Sequence, residues 1–280
     1  MHLNLNGNLI SLDTPLVMGI ANYTEDSFFD GGNYFSEKDL LKRVGNMLEE
    51  GADIIDLGAI STRPGALDLD EESEILRIRT GVNLILKHFP GTSISIDTWR
   101  ASVARMAVGE GAAMINDISG GTFDPEMIPL IGKMKIPYCL MHTSAKPDKM
   151  QQATMYNSLI SDLLSYFATQ LAKLKESGAN DILLDPGFGF GKTVEQNYML
   201  MDNLQAFHVF GLPLLVGISR KSMIYRLLDT TPSGALNGTT VLNTIALLKG
   251  AGVIRVHDVR EAREAVRIIG QLKQKDRFLS

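Results

Sequence analysis

Acceptor side chains recur where apolar runs end. Asp97 closes SISID, Asn116 and Asp117 close AMIND, and Asp185 closes DILLD. A carboxylate at the end of an apolar strand lies in low dielectric and needs a partner. Asp97, Asn116 and Asp185 together line a pocket with acceptors and one amide. Such a pocket suits a flat heterocycle with amino and ring N–H donors, for example the 2-amino-4-oxo face of a pterin or a guanine. A carboxylate against a guanidine-like edge makes two parallel charge-assisted bonds. Asp56 belongs with these acids by type but lies in the middle of its run, DIIDLG.

The cations follow a similar pattern. Arg255 and His257 alternate on one run, so their side chains point the same way. Arg63 follows the run that ends in Ser61, and Arg220-Lys221 follows LLVGIS. Several cations converging on one pocket are explained by a phosphate or pyrophosphate. Asn22, at the end of LVMGIAN, offers an amide oxygen to a Mg2+ bound against that pyrophosphate, since Mg2+ takes few protein ligands and bridging phosphate oxygens.

The stretch Asp185-Pro186-Gly187-Phe188-Gly189-Phe190-Gly191-Lys192-Thr193 looks like a nucleotide loop but fails the spacing. A Walker A loop needs glycine where Pro186 stands, and the three glycines do not match the dinucleotide pattern. What remains is a tight loop that brings backbone close to a ligand, with Phe190 as a stacking wall. No His-x-x-x-His or Glu-x-x-His pair occurs, so a zinc site is not expected. His142 ends the run YCLM without an assigned role; His2, His88 and His208 are expected on the surface or in the core.

These groups need a frame that brings them together. The chain has eight apolar runs of strand length, each ending in a polar or glycine-rich cluster. Helical patterns fill the gaps. Leu40, Leu41, Val44, Met47 and Leu48 follow a capping-box sequence at Ser36–Asp39; Glu71 to Phe89 repeats the helical period; Ser158 to Ser177 is stopped by Gly178; Thr193 opens another helix. Asp124-Pro125 reads as an N-cap with Pro in the first helical position. Alternating strands and helices argue for a parallel sheet covered by helices. An open doubly wound sheet concentrates its ligand groups at one switch point. Polar tips on all eight runs favour a closed (β/α)8 TIM barrel, whose C-terminal strand ends form the active-site face. The expected organisation is one domain over 1–280, with a short N-terminal β-hairpin, turned at Asn6-Gly7, closing the bottom.

The length, 280 residues, is that of one such barrel, and 45% hydrophobic residues suffice for a full core. A net charge of -5 gives no footprint for nucleic acid or an acidic membrane. Cys139 is the one cysteine, expected in the core, so no intrachain disulfide forms. With neither a signal-peptide pattern nor a membrane-length apolar stretch, a cytoplasmic location is expected.

The stretches MGIANYTEDSFFDGG, ADIIDLGAISTRPGA, ISIDT, INDISGG, LMH, LLDPGFGFGKT, LVGISRKS and IRVHDV, in this order, resemble the dihydropteroate synthase family of pterin-binding enzymes over nearly the whole chain. The resemblance implies a folate-pathway transferase. It would join para-aminobenzoate to 7,8-dihydropterin-6-ylmethyl diphosphate and release pyrophosphate. It also implies roles. Asp97, Asn116, Asp185 and Lys221 would hold the pterin ring, with Thr62 beside it and Arg255 stacked on it. Asn22, Arg63, Arg255 and His257 would hold the diphosphate with Mg2+. Thr62, Pro64, Phe28, Phe190, Lys221 and Ser222 would frame the para-aminobenzoate, the position that sulfonamides imitate in this family. Partners are then two small substrates and a second copy of the chain in a homodimer. The sequence departs from the family pattern at Glu25, where Pro is common, at Ala59-Ile60, where Gly-Glu is common, and at Thr143-Ser144-Ala145. A methyltetrahydrofolate-dependent methyltransferase, a Schiff-base aldolase using Lys221 and a non-catalytic pterin-binding paralogue are the competing readings.

Overall fold

The computed structural model of the chain describes residues 1–23, 36–60, 69–146, 150 and 154–275. Eight parallel strands close into a barrel: β3 (Leu16–Asn22), β4 (Ile54–Gly58), β5 (Ile94–Asp97), β6 (Met114–Asp117), β7 (Tyr138–Met141), β8 (Ile182–Asp185), β9 (Leu214–Val216) and β10 (Ala251–Val256). The last strand meets the first, with Val253 paired to Leu16 and Val256 to Gly19. Helices occupy the crossovers: α1 (Glu37–Glu49), α2 (Glu71–His88), α3 (Ala101–Gly109), α4 (Met127–Met134), α5 (Leu159–Ser177), α6 (Val194–Asp202), then α7 (Ser222–Leu227) and α8 (Leu236–Leu248) together before β10, and α9 (Val259–Lys275) after it. The strand runs are apolar throughout because both faces of a barrel strand are covered, one by helices and one by the opposite wall.

Side-chain alternation sorts each strand into two sets. Ile55, Leu57, Ile94, Ile96, Ile115, Leu140, Leu184 and Ile254 belong to the cluster shared with the helices. Met18, Ile54, Met114, Cys139, Leu183, Leu215 and Val253 form a separate cluster with Leu3, Leu5 and Leu12. That second cluster is the lower barrel interior, and it places the hairpin. Strands β1 (His2–Leu5) and β2 (Asn8–Ser11) turn at Asn6 and Gly7, both with positive φ, and lay Leu3 and Leu5 into the barrel's N-terminal end. Each such buried leucine contributes roughly 1.5–3 kcal/mol. The hairpin closes this end and leaves the opposite mouth as the open one.

The caps follow local chemistry. Ser36 and Asp39 form the capping box of α1, Thr193 and Gln196 that of α6, and Gly178 ends α5 at φ 92°. Asp124 acts differently from its expected part as the cap of α4. That helix begins only at Met127, and Asp124 gives one oxygen to the Ala101 N–H at 2.7 Å and the other to Glu126 N–H at 2.9 Å. The cap position of α3 is Arg100, whose side chain makes no capping bond, so Asp124 supplies that acceptor from a distant segment. No helix among the described residues is long and apolar enough to cross a membrane.

Candidate active site

Advancing two residues along a strand returns to the same face. Above the apolar floor of Ile54, Met114, Leu183 and Val253 the barrel therefore carries Asp56, Asn116, Asp185 and Arg255. Strand register adds a second relation. Asn22 pairs with Gly58, Gly58 with Asp97, and Asp97 with Asn116 in one continuous row around the rim. Gly58 leaves room in that row, since a Cβ there would lie 3.3 Å from Asp97 Cβ and 3.6 Å from Asn22 Oδ1.

Arg255 is the hub. Its Nε donates to Asp56 Oδ2 at 2.6 Å and its Nη2 to Asp97 Oδ2 at 2.6 Å. Burial works against its charge, but Asp56 and Asp97 outweigh it and hold the guanidinium firmly protonated. Burial pushes Asp97 up to about 7, while Arg255 pulls it down and Asp56 adds to the rise. Asp56 also accepts from Asn116 Nδ2 at 3.1 Å. It was the acid that sequence reasoning left outside the pocket, and it lies fully buried beneath two of the groups assigned to it.

Asp185 ends β8 with Oδ1 accepting from Gly187 N–H at 2.8 Å. Its Oδ2 lies 4.0 Å from where a Cβ on Gly217 would stand, and Arg255 Cβ is 3.7 Å from the same point, so Gly217 opens the space between the two. Burial raises the Asp185 pKa, and Lys221 is the foremost group drawing it back. Lys221 lies over the Phe190 ring, Nζ 4.6 Å from its centroid, and donates to Phe188 O. Burial lowers Lys221 to about 8 against the pull of Asp185. Ser222 follows as the first residue of α7.

The glycine loop after β8 is held from within. Lys192 Nζ donates to Gly187 O at 2.9 Å and Phe190 O at 3.0 Å, and stands 3.2 Å from His142 Nδ1. Burial lowers Lys192 to about 7 and His142 to about 3, so the imidazole beside the Lys192 amine is neutral. Asn197 Oδ1 takes the Gly189 N–H at 2.7 Å. The close backbone approach anticipated for this loop is made to protein: a Cβ on Gly187, at φ 72°, would stand 1.9 Å from His142 O. Phe188 is fully buried, whereas Phe190 joins Ile118, Met141, Met150 and Trp99 in a small apolar cluster apart from both barrel cores.

His257 follows β10. Ser219 Oγ accepts its backbone N–H at 3.1 Å and lies 3.0 Å from its Nδ1. In the tautomer in which the hydroxyl donates to Nδ1, Nε2–H is left as the imidazole's donor. Burial, with Arg255 next, depresses His257 to about 3, so it enters the site neutral. Arg220, which sequence reasoning aimed at the mouth, binds Asp258 with both Nε at 3.0 Å and Nη2 at 2.6 Å. It ties the loops after β9 and β10 together, the loops that carry Lys221 and His257. Phe28, Thr62, Arg63 and Pro64, and also Glu25, lie outside the described residues. Ile60 is buried, so the position where the family carries a carboxylate is here apolar packing. Among the described residues no three His, Cys, Asp or Glu side chains cluster as a metal cage.

Six strands and the loops after them thus bring three acids, an amide, an arginine and a lysine to one mouth of a closed barrel. The profile of the pterin binding enzyme family matches residues 18–257. The chain is 43% identical to the dihydropteroate synthase of Escherichia coli (strain K12) over 96% of its length and 95% of that protein, and 39% identical to that of Bacillus subtilis (strain 168) over 94% and 90%. The crystal structure of the Yersinia pestis dihydropteroate synthase with a sulfonamide drug superposes with a TM-score of 0.92 at 39% identity, covering 98% of this chain and all of that one. A Xanthomonas albilineans dihydropteroate synthase with 4-aminobenzoic acid gives 0.90 at 31% identity, over 97% and 98%. The chain belongs to the pterin-binding enzyme family. Its place within that family is with the dihydropteroate synthases, transferases of folate biosynthesis.

Proposed function

We propose that this mouth binds the dihydropterin ring against Asp97, Asn116 and Asp185 and orients its methylene diphosphate toward Arg255 and His257. The observation that carries this reading is the row and layer of acceptors crossed by one arginine. A donor-rich ring meets carboxylates, while the cation that neutralises them also reaches the leaving group. Phe190 and Lys221, with Ser222 and the residues Phe28, Thr62 and Pro64, frame para-aminobenzoate. A Xanthomonas albilineans dihydropteroate synthase of the same fold was solved with 4-aminobenzoic acid, which supports that substrate.

The aniline nitrogen of para-aminobenzoate attacks the pterin methylene carbon. The bond from that carbon to the diphosphate oxygen breaks, and the nitrogen passes its proton to the departing pyrophosphate. An aromatic amine is neutral at pH 7, so no strong general base is needed. The demand is at the departing diphosphate, where the Arg255 N–H groups and the neutral His257 Nε2–H donate to developing charge. If cleavage runs ahead of attack, the buried carboxylates of Asp97 and Asp185 face a cationic pterin and stabilise it. Exclusion of water protects that carbon from hydrolysis.

Mg2+ is a further part of the proposal. Asn22 Oδ1 stands on the same row as Asp97, and one amide oxygen without a carboxylate cage suits an ion held mainly by phosphate oxygens. When bound there the ion would neutralise diphosphate charge. A homodimer is also proposed, and Val241 and Leu248, exposed seven residues apart on α8, support it. A cytoplasmic location, the remaining part of the reading, fits a chain with one buried free cysteine.

Pyrophosphate release from the two substrates together, and from neither alone, tests the reading. Release that does not depend on para-aminobenzoate would defeat it, and methyl transfer to a cobalamin protein would replace it.

A further inference from the structure

Asp56 has no part in the roles given above, yet it touches two of the residues that do. It is fully buried, Oδ2 accepts from both Arg255 Nε and Asn116 Nδ2, and Oδ1 has no partner among the described residues. A buried acceptor left unpaired costs about 1–3 kcal/mol, so the bonds of Oδ2 to Arg255 and Asn116 have to offset the burial of this acid.

An amide has a donor end and an acceptor end of nearly equal size, and its neighbours decide which way each points. Oδ2 of Asp56 already accepts from a guanidinium and presents an acceptor to Asn116. The amide answers with its nitrogen, which leaves Oδ1 of Asn116 as the end available to a ligand. We infer that Asp56 is a positioning residue that turns the Asn116 oxygen toward the ring and tethers Arg255 through Nε. The ring then meets three acceptors, Asp97, Asn116 and Asp185, and no donor from this set. Arg255 keeps its Nη groups for Asp97 and the diphosphate. The inference rests on the assignment of this mouth to the pterin.

The test measures binding of a 6-hydroxymethyl-7,8-dihydropterin, the ring without its diphosphate. Quenching of Trp99, the one tryptophan, reports it, because Trp99 packs against the Phe190 cluster. Asp56→Asn should weaken ring binding at least 10-fold while para-aminobenzoate affinity stays within twofold, and its loss should not add to that of Asn116→Ala. Equal losses for both substrates, or additive losses for the ring, would overturn the inference. A second variant covers misfolding of the first. Asn116→Asp sets a carboxyl against Asp56, and two such groups share a proton. The introduced carboxyl would then donate to Asp56 through that proton and still show an oxygen to the ring. Ring binding should stay near the parent's at pH 6 and fall, relative to the parent, as pH rises. Loss at every pH would show that the nitrogen faces the ring and would sink the proposal. Asn116→Ala separates the two levels: unchanged ring binding removes the site assignment itself, whereas loss there with none in Asp56→Asn removes only this inference.

Discussion

Replacing Gly187 by alanine probes how the glycine loop aims Asp185. Two costs arise at this position. Its φ of 72° is left-handed, which costs an L-residue about 1–2 kcal/mol. The new Cβ would also stand 1.9 Å from His142 O, about 1.5 Å short of ordinary contact, and that neighbour is backbone. No rotamer relieves the clash, so the loop has to move. Moving it displaces Gly187 N–H from Asp185 Oδ1 and Gly187 O from Lys192. A misplacement near 1 Å costs about 100-fold in rate. Gly187→Ala should therefore lose about 100-fold in kcat/KM for the pterin diphosphate and more than about 2 kcal/mol of stability, adding the clash to the strain. Gly189→Ala is the control. Its φ is 81°, but its Cβ would meet Lys221 Cδ at 3.0 Å, the stem of a flexible side chain. That variant should lose about 1–2 kcal/mol and far less pterin specificity. Urea melts and pyrophosphate release with each substrate varied give both quantities. Indistinguishable behaviour of the two variants would refute the claim that contact with the His142 backbone fixes Asp185.

Arg255→Ala leaves Asp56 and Asp97 without their shared cation, and breaking such a buried pair costs about 3–5 kcal/mol; turnover should vanish with both substrates saturating, and normal kcat in steady-state assays would exclude the assigned role. Asp185→Asn keeps an acceptor for Gly187 N–H but loses the charge, so KM for the pterin diphosphate should rise at least 10-fold with para-aminobenzoate KM within twofold; equal rises would count against the layout. The pH dependence of kcat/KM for the pterin should fall on the acid side as Asp97, at about 7, takes a proton, and on the basic side as Lys221, at about 8, loses one. Lys221→Arg should move the basic limb beyond pH 9, and an unmoved limb would assign it elsewhere. Stability runs with different signs. Asp97, raised above its unfolded value, stabilises below about pH 4 and loses that contribution as pH rises through about 7. Lys221, lowered, contributes above its unfolded value and loses that as pH falls through about 8.

What the sequence showed, and what it hid, follows from the range of each interaction. The barrel was legible because eight apolar runs alternate with capped amphipathic helices, and both patterns are local. Strand-end acids were legible because an acid after ILL or SISI has no apolar explanation. Asp56 fell outside that rule for one reason: barrel shear. The strands are staggered, so a mid-strand position on β4 reaches Arg255 on β10 and Asn116 on β6. Arg220 was misread because its partner, Asp258, is 38 residues away and nothing local distinguishes a committed arginine from a ligand arginine. Lys192 looked like part of a failed phosphate motif. Its actual duty, holding loop carbonyls against His142, becomes visible only once β7 and β8 are neighbours.

The charges at the mouth lead to a last expectation. Among the described residues each cation is already engaged: Arg255 with Asp56 and Asp97, Lys192 with two carbonyls and His142, and Lys221 with Phe188 O beside Asp185. His257 enters neutral. Three carboxyl groups, Asp56, Asp97 and Asp185, thus face three basic side chains, and this set, which does not include Arg63 outside the described residues, offers a diphosphate donors but little surplus charge. An anion bearing two or more charges in a low-dielectric mouth needs a counter-charge of its own. Inorganic pyrophosphate should accordingly bind at least 10-fold more tightly with Mg2+ than in a chelator. Asn22→Ala should shrink that difference while leaving binding in the chelator unchanged. Equal affinity under the two conditions would mean that the protein supplies the charge itself, and the part given to Asn22 would fall with it.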